Sequence, residues 1–271
     1  MLTQERKKEL LLLAKALVSW QSYSGQELGV ADELELYLHE RGFDRVETDQ
    51  YGNVLGCIKG NRPGKRLLFD GHIDTVPVTN PAAWTHAPFR PEVSDGKLYG
   101  RGTSDMKGAV AAFTAAAGFF ANDSGRDFPG EIWVAGVVHE ECFEGVAARS
   151  VSGIVKPDYV IIGEASECNV KIGQRGRAEI VVETFGVPAH SANPEKGVNA
   201  VYRMCRVVEA LRELEVTEHP VLGRGILELT DIQSAPYPGA SVVPFYCRAT
   251  YDRRLLVGET RAHRQQVAVH L

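Results

Sequence analysis

Apolar positions along the chain follow two rhythms, and the first stretches are helical. Within residues 3–20, Leu10, Leu13 and Leu17 fall on one helix face, and Thr3 stands where an N-cap belongs. A second helix is predicted from Ser24: Ser24 and Glu27 have capping-box spacing, Leu28, Ala31, Leu34 and Leu38 form the stripe, and Gly42 ends it. Short strands are predicted at 45–48, 54–59 and 66–69, with turn signals at Tyr51-Gly52-Asn53 and Arg62-Pro63-Gly64 between them. Residues 78–104, with Pro81, Pro88 and Pro91, read as a long loop, a length that inside a compact domain is usually functional. An alanine-rich helix then runs from Gly108 to about Asn122, and small residues let it pack closely on a sheet. A strand at 131–138, a helix starting over 144–150 and a buried strand at 159–163 complete the alternation, which predicts a three-layer α/β domain.

The texture changes at 173–176. Residues 178–185 alternate as a half-exposed strand, 198–214 carry a helical stripe, and 225–229 and 242–251 alternate again. This predicts a separate small α+β domain over 175–271, after a larger domain over 1–174.

Composition narrows the function. The 271 residues are 44% hydrophobic and 24% charged, as in an ordinary soluble globular protein. A net charge of −5 leaves no basic footprint for nucleic acid. Five scattered cysteines (Cys57, Cys142, Cys168, Cys205 and Cys247) never fall in C-x-x-C spacing, which predicts reduced thiols in a cytoplasmic protein and no thiolate zinc site. The apolar stretch 10–20 is interrupted by Lys15 and lacks a small-residue cleavage site, and the run 109–121 is too short to span a bilayer, so no membrane role is expected. The loop Gly60–Lys65 misses the phosphate-binding pattern by one residue and continues into Arg66, and no G-x-S-x-G occurs.

The chemistry gathers at predicted strand ends. Residues 67–77 read LLFDGHIDTVP, so an apolar strand runs straight into His72 and Asp74. Two apart in an extended segment, these side chains share a side, which lets Asp74 support His72 while the other ring nitrogen holds a metal. Asp105 follows in GRGTSDMKG, Glu140 and Glu141 follow the strand 131–138, Glu164 follows 159–163, and His190 lies in PAHSA. Carboxylates at four such ends can converge on one site at the sheet's rim. One imidazole with several carboxylates suits Zn²⁺ or another divalent transition ion, and one carboxylate can bridge two ions.

The ordered strings GHIDTVP, GRGTSDMKG, HEE, GEAS and AHSA resemble the di-zinc aminoacylase and dipeptidase superfamily, which includes acetylornithine deacetylase and succinyl-diaminopimelate desuccinylase. GQRGRAEI, RGILELTDI and DRRLLVGET look most like its selenium-metabolism-linked hydrolases. The resemblance implies an α/β, zinc-peptidase-like catalytic domain with an inserted small α+β dimerisation or lid domain. It implies metal-dependent cleavage of an amide bond in N-acyl amino acids or small peptides, with two Zn²⁺ per subunit, Co²⁺ or Mn²⁺ being substitutes. His72, Asp105 and Glu164 would hold one metal, and Asp105 would bridge to a second held by Glu141. Asp74 would orient His72, Glu140 would be the general base, and His190 would polarise the substrate carbonyl, often across a homodimer interface formed by the small domain. Arg177 and Asn199 lie in matching strings as substrate contacts, whereas His139 is read as a supporting or packing histidine.

Relatives take the second zinc's last ligand, a histidine, from a C-terminal return into the first domain. Here the family pattern fades after DRRLLVGET, and His263 and His270 read as surface residues. The expectation is a C-terminally truncated catalytic domain. Its alternative function is a fragment that binds one metal or serves only as a dimerisation module.

Overall fold

The computed structural model describes residues 2–143 and 145–259, so His263 and His270 lie outside the described residues. The chain divides into two compact units, Met1–Cys168 and Asn169–Leu271.

In the first unit, α1 (Gln4–Ser19) starts beneath Thr3, whose side chain accepts the Arg6 N–H at 3.3 Å. The second helix, α2 (Leu28–Glu40), begins three residues later than its apparent capping box predicts. Glu27 holds the N-cap position without a side-chain cap bond, because its carboxylate and the Ser24 hydroxyl are bonded elsewhere. Gly42, at φ +68°, turns the chain out of α2.

Three strands follow: β1 (Arg45–Thr48), β2 (Val54–Lys59) and β3 (Arg62–His72). The turn expected at Arg62–Gly64 is instead the start of β3. Gly64 passes so close to Gly130 that a Cβ on it would lie 2.6 Å from the Gly130 nitrogen, so the bare backbones pair early, across an irregularity in register. The long stretch 78–104 contains a small hairpin, β4 (Glu92–Ser94) and β5 (Lys97–Tyr99). Then come α3 (Lys107–Ser124), β6 (Pro129–Val137), the single turn α4 (Glu140–Phe143), α5 (Val146–Val155) and β7 (Tyr159–Ile162).

The sheet order is β1-β2-β6-β3-β7, antiparallel from β1 to β6 and parallel across β6, β3 and β7. Leu38 of α2 lies over Gly56 and Phe113 of α3 lies over Gly71, so these helices pack directly on the sheet, while α5 packs on β6. Leu17, Leu34, Leu55, Ile58 and Val134 are fully buried between these elements. β7 departs from expectation. Its run Tyr159-Val160-Ile161-Ile162 reads as a buried strand, yet each residue is about half exposed or more, because β7 is the outermost strand of the described sheet.

The second unit pairs β8 (Gly176–Phe185), then α6 (Ala200–Arg212), the short β9 (Glu218–His219) and β10 (Gly223–Arg224), and the long β11 (Ile226–Ala235) and β12 (Tyr246–Leu255). Its antiparallel sheet runs β11-β12-β8, and Ala200, Met204 and Val207 of α6 pack on Cys247, Ala249 and Tyr251. No helix among the described residues is long and apolar enough to cross a membrane.

Candidate metal centre

β3 delivers His72 to the sheet's rim. Phe69 stacks on Phe113 of α3 with ring centroids 5.9 Å apart, and Gly71 admits the start of α3: a Cβ there would lie 2.5 Å from Met106 Cε. That close approach brings Asp105, just before Met106, against the imidazole, with Asp105 Oδ1 3.0 Å from His72 Nε2.

His72 is buried, and its Nδ1 lies 3.0 Å from the Asp74 carbonyl oxygen and 3.4 Å from Asp74 Oδ1. With Nδ1–H donating there, Nε2 is the ring nitrogen turned toward the acids, and its proton is the one a metal ion would displace. Around Nε2 stand Asp105 Oδ1, Glu164 Oε1 at 3.4 Å and Glu140 Oε2 at 4.0 Å. Two ligand triads result, His72 with Glu140 and Glu164, and His72 with Asp105 and Glu141; in each the ligand atoms lie within 4.8 Å of one another.

Asp74 ties these pieces together. Its carboxylate is fully buried; Oδ1 accepts the Glu140 N–H and Oδ2 the Glu141 N–H, both at 3.1 Å, and Oδ2 also accepts the Ser24 hydroxyl at 2.7 Å. The turn α4 is thus capped by the residue that supports His72, and both glutamates are set by it. The end of β6 has its own anchor. Buried Asn53 accepts the Val138 N–H at 3.0 Å and donates to the Ala147 carbonyl at 3.1 Å and to Asp49 at 2.8 Å. At His139, where φ is +57°, the N–H donates to Glu27 Oε1 at 3.0 Å.

The electrostatics reflect crowded acids. Burial opposes charge on His72, but hydrogen bonds to Asp105, Asp74 and Glu164 prevail and push its pKa up to about 12. Burial raises Glu140 to about 7, with His72 opposing and Glu164 and Glu141 adding to the rise. Burial and Asp105 raise Glu141 as well. The hydrogen bond from His72 holds Asp105 low. Four carboxylates around one imidazole repel one another, and a divalent cation relieves that repulsion. Nitrogen and carboxylate oxygen donors at these spacings fit zinc-type ions.

The remaining sequence candidates lie in the second unit. Exposed His190 accepts the Ala192 N–H on Nδ1 at 3.1 Å, which places the neutral ring's proton on Nε2. Arg177 donates to Asp252 at 2.6 Å. Asn199 caps α6, accepting from Val201 and Tyr202. Sequence reasoning missed Ser22, Ser24, Glu27 and Asn53 as parts of the first unit's site; Ser24 and Glu27 read as a helix cap and Asn53 as part of a turn, while Ser22 carried no signal.

The profile of Peptidase family M20/M25/M40 matches residues 68–241, which include all five residues of the two triads. The chain belongs to this family. The uncharacterized protein YgeY of Escherichia coli (strain K12) is 36% identical over 249 residues, covering 90% of this chain and 60% of that protein. Succinyl-diaminopimelate desuccinylase 2 of Ruegeria sp. (strain TM1040) is 31% identical over 255 residues, covering 89% and 64%. The chain therefore spans less than two thirds of the length of these two relatives. Among solved structures, the M20 family metallo-carboxypeptidase Sso-CP2 of Sulfolobus solfataricus superposes with a TM-score of 0.72 at 17% identity, covering 93% of this chain and 72% of that one. At that identity the likeness speaks for an M20 fold.

Proposed function

We propose that the chain acts as a metal-dependent amidohydrolase on N-acyl amino acids or small peptides. The observation that carries this reading is the convergence of Asp105, Glu140, Glu141 and Glu164 on one buried imidazole, His72, in a chain of the M20 family. In this reading His72, Asp105 and Glu164 would hold one zinc ion, and Asp105 together with Glu141 would hold a second. Bound zinc supplies Lewis acidity, which lowers the pKa of a neighbouring water and draws charge from a carbonyl oxygen.

The chain's own groups do the rest. Glu140 takes a proton from the attacking water and returns it to the leaving amine. Its position supports that role: it stands 4.0 Å from His72 Nε2, where Asp105 and Glu164 close to 3.0 and 3.4 Å. Asp74 fixes His72 from behind and holds the turn that carries Glu140. His190 donates from Nε2 to the substrate's carbonyl oxygen, acting across a homodimer of the second units. The desuccinylase relative removes a succinyl group by its name, and that supports an N-acyl substrate here.

Metal content after dialysis against trace zinc, measured with hydrolysis of N-succinyl and N-acetyl amino acids and dipeptides, tests the proposal. Two ions per chain with turnover support it. One ion without turnover favours the other reading, a one-metal or dimerisation module. No ion overturns the metal centre.

A further inference from the structure

Two polar residues with the spacing of a helix cap are committed elsewhere, and where they go defines a strap. The segment from Trp20 to Glu27, joining α1 to α2, bonds to three stretches that adjoin metal-centre residues: the one after β3, the first residue of α3 and the one after β6. Ser22 Oγ donates to the Ile73 carbonyl at 2.7 Å, and the Ser22 carbonyl accepts the Thr75 N–H at 2.8 Å. Ser24 Oγ donates to Asp74 Oδ2 at 2.7 Å, and Glu27 accepts the His139 N–H at 3.0 Å. The ammonium of fully buried Lys107, two residues past Asp105, donates to the Trp20 carbonyl at 2.8 Å. Ser22 and Glu27 are buried as well.

Local preference places Ser24 and Glu27 on the free N–H groups at the start of α2. A departure from local preference that no local gain offsets marks a position set by the site. Of the strap's hydrogen bonds among the described residues, the one from the Ser24 hydroxyl reaches the Asp74 carboxylate. That carboxylate has two oxygens for four groups: His72 Nδ1, the Glu140 N–H, the Glu141 N–H and Ser24 itself.

We infer that Ser24 is a positioning residue of the metal centre, its hydroxyl locking the Asp74 carboxylate in the one rotation that serves His72 and the Glu140–Glu141 turn together. The inference rests on the reading of His72, Asp105, Glu141 and Glu164 as metal ligands. Without the hydroxyl, the carboxylate turns about its Cβ–Cγ bond, and the imidazole and the two glutamates lose their common reference. Groups behind metal ligands typically govern affinity in this way.

The test uses the full chain with Co²⁺ alone as probe, read by its visible absorption, and thermal unfolding in excess chelator as a second readout. The variants are Ser24→Ala, Ser24→Thr, and Ser19→Ala as a control whose hydroxyl bonds the Ala16 carbonyl within α1. Expected are Co²⁺ affinity about 10–100-fold weaker in Ser24→Ala, recovery to within about threefold in Ser24→Thr, and no change in Ser19→Ala. The Tm of Ser24→Ala in chelator should match that of the unsubstituted chain. Equal Co²⁺ affinity in Ser24→Ala and the unsubstituted chain overturns the inference. So does a loss that persists in Ser24→Thr with a parallel fall of the chelator Tm, since that is a merely structural effect. An unsubstituted chain that takes up no Co²⁺ overturns the metal-centre reading itself, a result distinct from both.

Discussion

The Asp74 carboxylate accepts the main-chain N–H of Glu140 at 3.1 Å, joining the end of β3 to the first turn after β6 across 66 residues of sequence. Replacing Asp74 by Asn sets an amide N–H₂ against one of the N–H groups of α4 and weakens the support of His72. Metal affinity should fall about 10–100-fold, as measured by competition with a chromophoric chelator. Unchanged affinity would show that the Asp74 main-chain carbonyl alone orients the ring.

Glu140→Gln keeps the shape of the side chain and removes its capacity to carry a proton. Turnover should drop by about 10²–10⁴-fold while metals per chain stay at the unsubstituted value. A joint loss of metal and turnover would make Glu140 a ligand and refute its role as a base.

The five cysteines should divide by accessibility. Cys142, Cys168 and Cys205 are exposed, whereas Cys57 and Cys247 are buried. Burial pushes the Cys57 thiol up to about 12, with Glu131 adding to the rise, so little thiolate forms at neutral pH. A chromogenic disulfide reagent should label three thiols in the native chain and five after denaturation. Five fast labels in the native state would contradict the packing of β2 and β12.

Asp49 predicts an acid-side change in stability. Burial alone would raise its pKa, but hydrogen bonds from Asn53, Ser150 and the Tyr51 N–H outweigh it and hold the carboxyl below its ordinary value. With the folded pKa depressed, the stabilisation is complete above the unfolded value of about 3.9 and is lost as pH falls through the folded pKa. Urea midpoints of the unsubstituted chain and Asp49→Asn should differ most near neutrality and converge in acid. A constant gap across that range would refute the assignment.

Asn53→Ala removes three hydrogen bonds and leaves the buried Val138 N–H without its acceptor. The expected cost is about 2 kcal/mol, read from urea denaturation. A loss under half of that would mean that water reaches the end of β6.

The cluster of His72 with its glutamates was legible because apolar runs stop abruptly at the sheet's rim: Phe69 gives way to His72, Val138 to Glu140, and Ile162 to Glu164. The small unit was legible because its strands alternate and α6 keeps a clean stripe. What escaped the sequence is nonlocal. Ser24 and Glu27 have the local grammar of a cap, and only their partners at Asp74 and His139 show otherwise. Arg62-Pro63-Gly64 has the grammar of a turn, but the facing Gly130 lets it begin a strand. The apolar composition of β7 correctly gives a strand, while its exposure depends on which neighbours stand beside it.

The strap also sets a timetable. Ser24 meets Asp74 across 50 residues, and Glu27 meets His139 across 112. At the ~5–20 residues per second of translation, Glu27 waits roughly 6–22 s for its partner to be made. Closing loops of such length precedes any reward from the contacts they enclose. On the proposed reading, ion capture is therefore a late event in the life of the nascent chain, because the strap is among the first parts made and Glu140, Glu141 and Glu164 come long after it.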